Sequence, residues 1–294
     1  MLIDMHLHTT RIPGIHRQDG GTYATPDELI AIMDRIGVAR GVLLPLVSPE
    51  CDLRYSTTEE IIQIAHDYPE RFIPFANLDP RVNCNSPKTD LRRHLDYFIE
   101  QGCRGLGEVT CNLPIDDPRV INLFSACDQT GLSLTLHIAP EEGGYYGLVD
   151  APGLPGLEAM LQRFPNCRIV GHSQPFWAEM STGYGPQGRN GYPKGPVEEG
   201  GRLPELFERY PNLYGDLSAG SGYNAISRDE EFGYHFLERF SSQLLFATDI
   251  CDPTNDTPLV RHLNGALAKG KISQATYEAI GWRNAEALMA SVGK

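Results

Sequence analysis

Short β-rich runs alternate with amphipathic stretches from one end of the chain to the other. The runs predict strands over 2–8, 41–47, 72–77, 103–109, 132–138, 167–172, 212–217 and 244–249. The segments between them carry helix signals. Thr25-Pro26-Asp27-Glu28 combines an N-cap, a proline at the first helical position and a capping-box glutamate. Leu29, Ile32, Met33 and Ile36 then fall on one face, and Gly37 ends the helix. Thr57 and Glu60 repeat the box ahead of Ile61, Ile64 and Ala65. Leu91, Leu95, Phe98 and Ile99 form a third apolar stripe, closed by Gly102. Further helices are predicted over 119–130, 156–164, 203–210 and 229–240, with one or two more after Thr257.

Strand then helix, repeated to eight strands in a chain of 294 residues, predicts an α/β fold of the closed (β/α)8 TIM-barrel kind. The alternative is an open doubly wound sheet. It would carry a glycine-rich phosphate loop after an early strand, and the sequence shows none. No linker, repeat or low-complexity tract divides the chain, so 1–294 reads as one domain.

The connections are uneven. Turns from helix to strand are short, as at Pro69-Glu70-Arg71, Gly102, Gly131 and Pro165-Asn166. Connections from strand to helix are long, over 9–24, 48–56, 139–154 and 173–201. In a parallel barrel the long side is the C-terminal rim, where active sites lie. The longest connection, 173–201, is rich in Gly and Pro. It is expected to act as a lid or pocket wall, with Trp177 and its neighbours controlling access.

Charge and composition narrow the partners. Lys and Arg number 25 against 38 Asp and Glu, a net charge of −13, which phosphate backbones and anionic membrane surfaces repel. A small-molecule substrate is therefore expected, with no nucleic acid and no membrane. No apolar run approaches the roughly 20 residues that span a bilayer, and MLIDMHLHTT lacks the basic-then-apolar pattern of a secretory leader. Seven scattered cysteines without a C-x-x-C pair fit reduced thiols in a cytoplasmic protein. Oligomeric state leaves no signal, and a homo-oligomer is compatible with the sequence.

The chemistry collects at the strand ends. Residues two apart on a strand share a face, so His6 and His8 are placed together on the first strand, beside Leu2 and Asp4. The fourth strand ends near Glu108, the fifth in His137, the sixth in His172 and the eighth in Asp249. In the fifth, Ser133, Thr135 and His137 take one face and the leucines the other. A lone strand histidine is usually a hydrogen-bonded core residue. Four histidines and two carboxylates on one rim are expected instead to form a metal site. Imidazole and carboxylate donors suit Zn²⁺ best, with Mn²⁺, Fe²⁺, Co²⁺ or Ni²⁺ as alternatives. Cys251, near Asp249, is read as pocket wall. His66, His94, His235 and His262 lie in helical stretches, whereas His16 lies in the first rim loop and is a substrate-contact candidate.

With these residues in place the chain resembles the amidohydrolase superfamily. The likeness is strongest to the amidohydrolase-related branch that holds the aminocarboxymuconate-semialdehyde decarboxylase-like enzymes. It is carried by Ile3-Asp4-Met5-His6-Leu7-His8, Pro69-Glu70-Arg71-Phe72 and Gly102-Cys103-Arg104-Gly105-Leu106-Gly107-Glu108. Further on come Arg163-Phe164-Pro165-Asn166 with Val170-Gly171-His172, the run Tyr210–Ser218, Thr248-Asp249 and Asn284-Ala285-Glu286-Ala287-Leu288. The resemblance implies a barrel with one or two metals. His6, His8 and His137 would be ligands. Asp249 would be both ligand and proton acceptor, and His172 would bind a second metal or polarise the substrate. Glu108 points to two metals, because TatD-like deoxyribonucleases use a Gly-Glu there as a ligand. The start also resembles the polymerase-and-histidinol-phosphatase phosphoesterases, but their late Asp-x-His is missing at Thr248-Asp249-Ile250.

Metal-dependent hydrolysis of an amide, lactone or ester is the expected reaction. Asp249 would serve as acid and base, and His172 would stabilise the oxyanion. The alternative is non-oxidative decarboxylation of an unsaturated or aromatic acid by the same centre. A non-catalytic, metal-stabilised barrel is a third reading, and the complete ligand and acid–base set argues against it. Arg17, Arg54 and Arg189 are candidates to pair with a substrate carboxylate. Tyr145, Tyr146, Trp177, Tyr184 and Tyr192 are candidates to wall a ring-sized pocket.

Overall fold

The computed structural model describes residues 1–16, 20–51, 54–184, 188–290 and 292. Each run expected to be a strand overlaps one that is shorter than the run. They are β1 (Ile3–Leu7), β2 (Arg40–Leu43), β3 (Phe72–Pro74), β4 (Leu106–Val109), β5 (Leu134–Ala139), β7 (Ile169–His172), β8 (Leu213–Asp216) and β9 (Leu244–Leu245). β2 starts one residue before its run and β5 ends one residue after its own. A short β6 (Leu148–Val149), which the pattern did not predict, pairs with the end of β5.

The strand pairings are parallel and run β1-β2-β3 and β4-β5-β7-β8-β9. Two seams close the ring. At one, Ala76 N–H donates to Gly105 O at 2.9 Å and Gly107 N–H to Ala76 O at 2.8 Å. At the other, His8 N–H donates to Ile250 O and Asp249 N–H to His6 O, both at 2.9 Å. The architecture is the closed parallel barrel, not the open sheet.

The helix signals hold with one difference. The helix Pro26–Ile36 starts where Glu28 accepts both the N–H and the O–H of Thr25, each at 2.8 Å, and ends at Gly37 with φ +80°. Helix Thr58–Asp67 is capped by Thr57, whose hydroxyl accepts the Glu60 N–H. The Glu60 carboxylate does not complete that box. It accepts the N–H of Arg11 at 2.8 Å and pairs with Arg54, tying two rim loops together. Three helices were not predicted, Val82–Asn85, Gln174–Ala178 and Ala219–Ser227, and beyond Thr257, where one or two were expected, lie Pro258–Ala268, Gln274–Glu278 and the closing Asn284–Met289. No helix among the described residues is long and apolar enough to cross a membrane.

The apolar side chains form two layers. Ile3, Met5, Val42, Leu44, Ile73, Phe75, Val170, Leu245 and Ala247 cluster with Ala285 and Leu288 of the closing helix. Leu7, Leu43, Leu106, Leu134, Leu136, Ile138 and Ile169 instead join the larger cluster with the helix faces. Each fully buried Leu or Ile contributes about 1.5–3 kcal/mol.

Two register shifts re-aim the site residues. β1 pairs Ile3 with Arg40 and Asp4 with Gly41, but Leu7 with Leu43, so one extra residue lies between. Such a bulge breaks simple alternation. Ile3 and Met5 share the inner cluster while Leu7 packs outward over Gly41, where a Cβ would come within 2.2 Å of it. The expected common face for His6 and His8 with Leu2 therefore fails at Leu2, which joins the outer cluster. β4 carries a second shift, between Leu106 and Val109. There Gly107 has φ +130°, and a Cβ on it would sit 2.4 Å from Thr135 O, so the turn that aims Glu108 accepts only glycine.

Candidate metal centre

The six strand-end residues meet at the rim end of the barrel. His6 Nε2 lies 3.0 Å from His8 Nε2, 3.4 Å from Glu108 Oε2 and 3.6 Å from Asp249 Oδ1. His8 Nε2 lies 3.5 Å from both carboxylates. Glu108 Oε1 accepts from His137 Nδ1 at 2.8 Å, and His172 Nε2 is 3.8 Å from Asp249 Oδ2. Three donor groupings result: His6, His8 and Glu108; His6, His172 and Asp249; Glu108, His137 and His172. Within each, the donor atoms lie no more than 4.8 Å apart.

Behind this set stand groups that the strand-end reading did not single out. His6 Nδ1 is 2.6 Å from Asp216 Oδ2, at the end of β8. His8 Nδ1 donates to Leu44 O at 2.9 Å, and His172 Nδ1 is 3.0 Å from Ser218 Oγ. Asp4 accepts from the Thr248 hydroxyl at 2.6 Å and from the His6 and Thr248 N–H groups at 3.0 Å. It thereby binds β1 to the segment that ends in Asp249. Asn77 donates through Nδ2 to Glu108 O at 2.5 Å and to Pro45 O at 2.7 Å. One signal for Asp216 was present: β8 is another apolar strand that finishes in a carboxylate on the same rim.

Burial and charge pull against each other at every group. Burial opposes protonation of His6, yet Asp216, Asp249 and Glu108 carry it well above the ordinary histidine range. His8 is raised by hydrogen bonds to Asp249 and Glu108, again against burial. Burial would raise Glu108, but the charge of His6 and hydrogen bonds from His137, His6 and His8 hold it well below the usual carboxylate range. Asp249 and Asp216 are lowered in the same way by the surrounding histidines. Burial pushes His137 down, and it pushes Asp4 up to about 7. The carboxylates of the centre are thus ionised and ready to accept a cation.

Several other expectations are corrected. Trp177 is buried at 3% exposure, packed against Phe176 and Phe236, with its indole N–H on Asp216 O at 2.9 Å. It anchors the start of 173–201 to the barrel rather than standing at the mouth. Arg189 is 2% exposed and spent on Glu179 Oε1, Asp150 O and Ala151 O, because burial of its charge demands partners. It is not presented to substrate. Arg54 is held by Glu60, and Arg17 lies outside the described residues. His16 bonds Gly20 O in an exposed loop.

The tyrosines divide. Tyr146 packs against the His137 ring at 4.3 Å between centroids, tilted by 47°, and burial raises its phenol. Tyr192 lies over Gly220, and Tyr145 is exposed. Cys103, Cys111, Cys127 and Cys167 are buried thiols.

No curated protein matches the chain. Solved structures share its fold at low identity. An amidohydrolase from Burkholderia multivorans with bound zinc has a TM-score of 0.63 and 15% identity, covering 99% of each chain. The 5-carboxyvanillate decarboxylase of Sphingomonas paucimobilis has a TM-score of 0.61 and 18% identity, also covering 99% of each. A probable 2-pyrone-4,6-dicarboxylic acid hydrolase from Acinetobacter baumannii, with citric acid bound, has 0.56 and 14%, covering 98% of this chain and 99% of that one. A model of the amidohydrolase family matches residues 3–289. The chain belongs to the amidohydrolase family of metal-dependent enzymes.

Proposed function

We propose that this protein is a metal-dependent hydrolase acting on an amide, lactone or ester carbon of a small molecule. The observation that carries this reading is the placement of Asp249. Its side chain is 26% exposed, whereas Glu108 and Asp216 show 5% and 0%. Among the carboxylates of the centre it is the one that faces open space, and its neighbours keep it ionised.

The residues fit a divalent cation. His6, His8 and His172 each have Nδ1 backed by a partner, which leaves Nε2 directed at the shared space. Nitrogen and carboxylate donors suit Zn²⁺. Six donors exceed the four of a single tetrahedral ion. We therefore assign His6, His8, Glu108, His137, His172 and Asp249 to a centre for two ions. Bound there, the cation would supply Lewis acidity, polarising a carbonyl and acidifying water.

The protein's own groups do the rest. Asp249 accepts the proton of the attacking water at its carboxylate and returns it to the leaving group. His172, whose Nδ1 meets Ser218 Oγ, has its alternative role where its Nε2 carries a proton instead of holding an ion: it then donates to the oxygen that gains charge. Tyr146 forms one wall of the opening beside His137.

Non-oxidative decarboxylation of an unsaturated or aromatic acid is the second reading, motivated by the decarboxylase among the structures of this fold. Purified protein loaded with Zn²⁺ and screened on lactones, esters, amides and carboxylic acids decides between them. Release of an acid with an alcohol or amine supports the hydrolase. Release of CO₂ overturns it in favour of the lyase.

A further inference from the structure

We propose that Asp216 is a positioning residue for the metal centre: it fixes His6 with the proton on Nδ1 and the lone pair on Nε2. This rests on the metal-centre reading above.

Asp216 is fully buried, and both of its oxygens are engaged. Oδ2 is 2.6 Å from His6 Nδ1. Oδ1 accepts the Ser218 N–H at 2.7 Å and lies 3.8 Å from His172 Nδ1. Ser218 Oγ then meets His172 Nδ1 at 3.0 Å. The carboxylate cannot turn without losing one of these bonds. Its backbone carbonyl is held as well, by the Trp177 indole.

A neutral imidazole carries a proton on one nitrogen and a lone pair on the other. A carboxylate only accepts, so Nδ1 of His6 must donate, and the lone pair must sit on Nε2. That nitrogen is the one within 3.6 Å of His8, Glu108 and Asp249. His6 belongs to two of the three donor groupings, and so does His172. The carboxylate therefore fixes His6 directly, while toward His172 it holds only Ser218, through its N–H. Asp216 stands on the Nδ1 side of His6 and belongs to none of the groupings. Its effect reaches the metal through the His6 ring.

The test uses the full-length chain as D216A and D216N beside wild type. Zn²⁺ affinity is measured by competition with a chromophoric chelator, and the imidazole tautomers by ¹H–¹⁵N NMR of the metal-free protein at a pH high enough to leave His6 neutral, since its neighbours hold its proton tightly. Removing such a hydrogen-bond partner typically weakens metal binding by about 10–100-fold. D216A is expected within that range, with the Nε2-protonated form of His6 appearing. D216N keeps an acceptor oxygen without the charge and is expected to fall between D216A and wild type.

Wild-type affinity and an unchanged Nδ1-protonated His6 in both variants would overturn the assignment. If D216A does not fold, D216N carries the test, and wild-type values in that variant alone overturn the proposal. Wild type that binds no Zn²⁺ contradicts the metal-centre reading instead. In that case the tautomer measurement still decides the role of Asp216.

Discussion

His6 and Asp216 stand 210 positions apart in sequence, yet His6 Nδ1 and Asp216 Oδ2 are 2.6 Å apart in the barrel. The pair joins the first strand to the seventh strand of the ring. It turns the other face of the His6 ring toward His8, Glu108 and Asp249. Most of the chemistry proposed for this protein depends on contacts of that kind.

Replacing Asp249 by Asn is expected to leave folding nearly normal and to lower kcat by roughly 10²–10⁴, the contribution of a positioned acid–base group. The amide keeps an oxygen but has no basicity. Steady-state kinetics on a substrate found by the screen, with circular dichroism as control, would check this. Full activity in the variant would remove the proposed base.

Glu108→Gln acts through metal. A neutral amide is a poorer ligand than a carboxylate, and Glu108 belongs to two of the three donor groupings. Elemental analysis of wild type and variant is expected to show a fall from two ions towards one, with excess metal restoring part of the rate. An equal metal content in both proteins would make Glu108 a hydrogen-bonding partner of the histidines rather than a ligand.

Metal affinity should fall as the solution is acidified. The metal-free protein holds protons on His6 and His8 more tightly than free histidine does. A cation must displace them, so binding releases protons and strengthens as pH rises. Titrations at about pH 6 and about pH 8 measure the difference. An affinity independent of pH would mean that neither imidazole is a ligand.

Arg189→Leu should destabilise the protein by about 3–5 kcal/mol, the cost of leaving Glu179 buried without its partner. Arg189 and Glu179 are both nearly inaccessible, and the arginine also ties down the carbonyls of Asp150 and Ala151. Urea unfolding reads the loss, and adding Glu179→Leu is expected to recover part of it. A substrate-binding arginine would instead raise KM with little change in stability.

Gly107→Ala should cost about 1–3 kcal/mol from backbone conformation alone. It should also weaken metal binding, because the added methyl would press on Thr135 O beside Glu108. Chemical denaturation and chelator competition would show both effects. A variant with wild-type metal affinity would mean that the β4 bulge does not set the aim of Glu108.

Local order in the sequence was enough for the barrel and for the candidate donors. Thr25, Glu28 and Gly37 mark the ends of a helix because caps act within a few residues. Ser133, Thr135 and His137 share a face opposite Leu134 and Leu136 because a regular strand alternates. The six donors could be picked out because each lies at or just past the C-terminal part of a strand, and all strand ends of a parallel barrel meet at one rim. What alternation does not encode is register against a neighbour. The bulges in β1 and β4 came only from pairing with β2 and β5, and they decide which way His6, Met5 and Glu108 point. Nor does local pattern name a partner. Trp177 and Arg189 read as rim residues facing substrate, and closure of the fold buried both, the indole against Asp216 O and the guanidinium against Glu179. Periodicity is a property of neighbouring residues, whereas a side chain's contacts are settled only when distant segments pack and every buried polar group must find its complement.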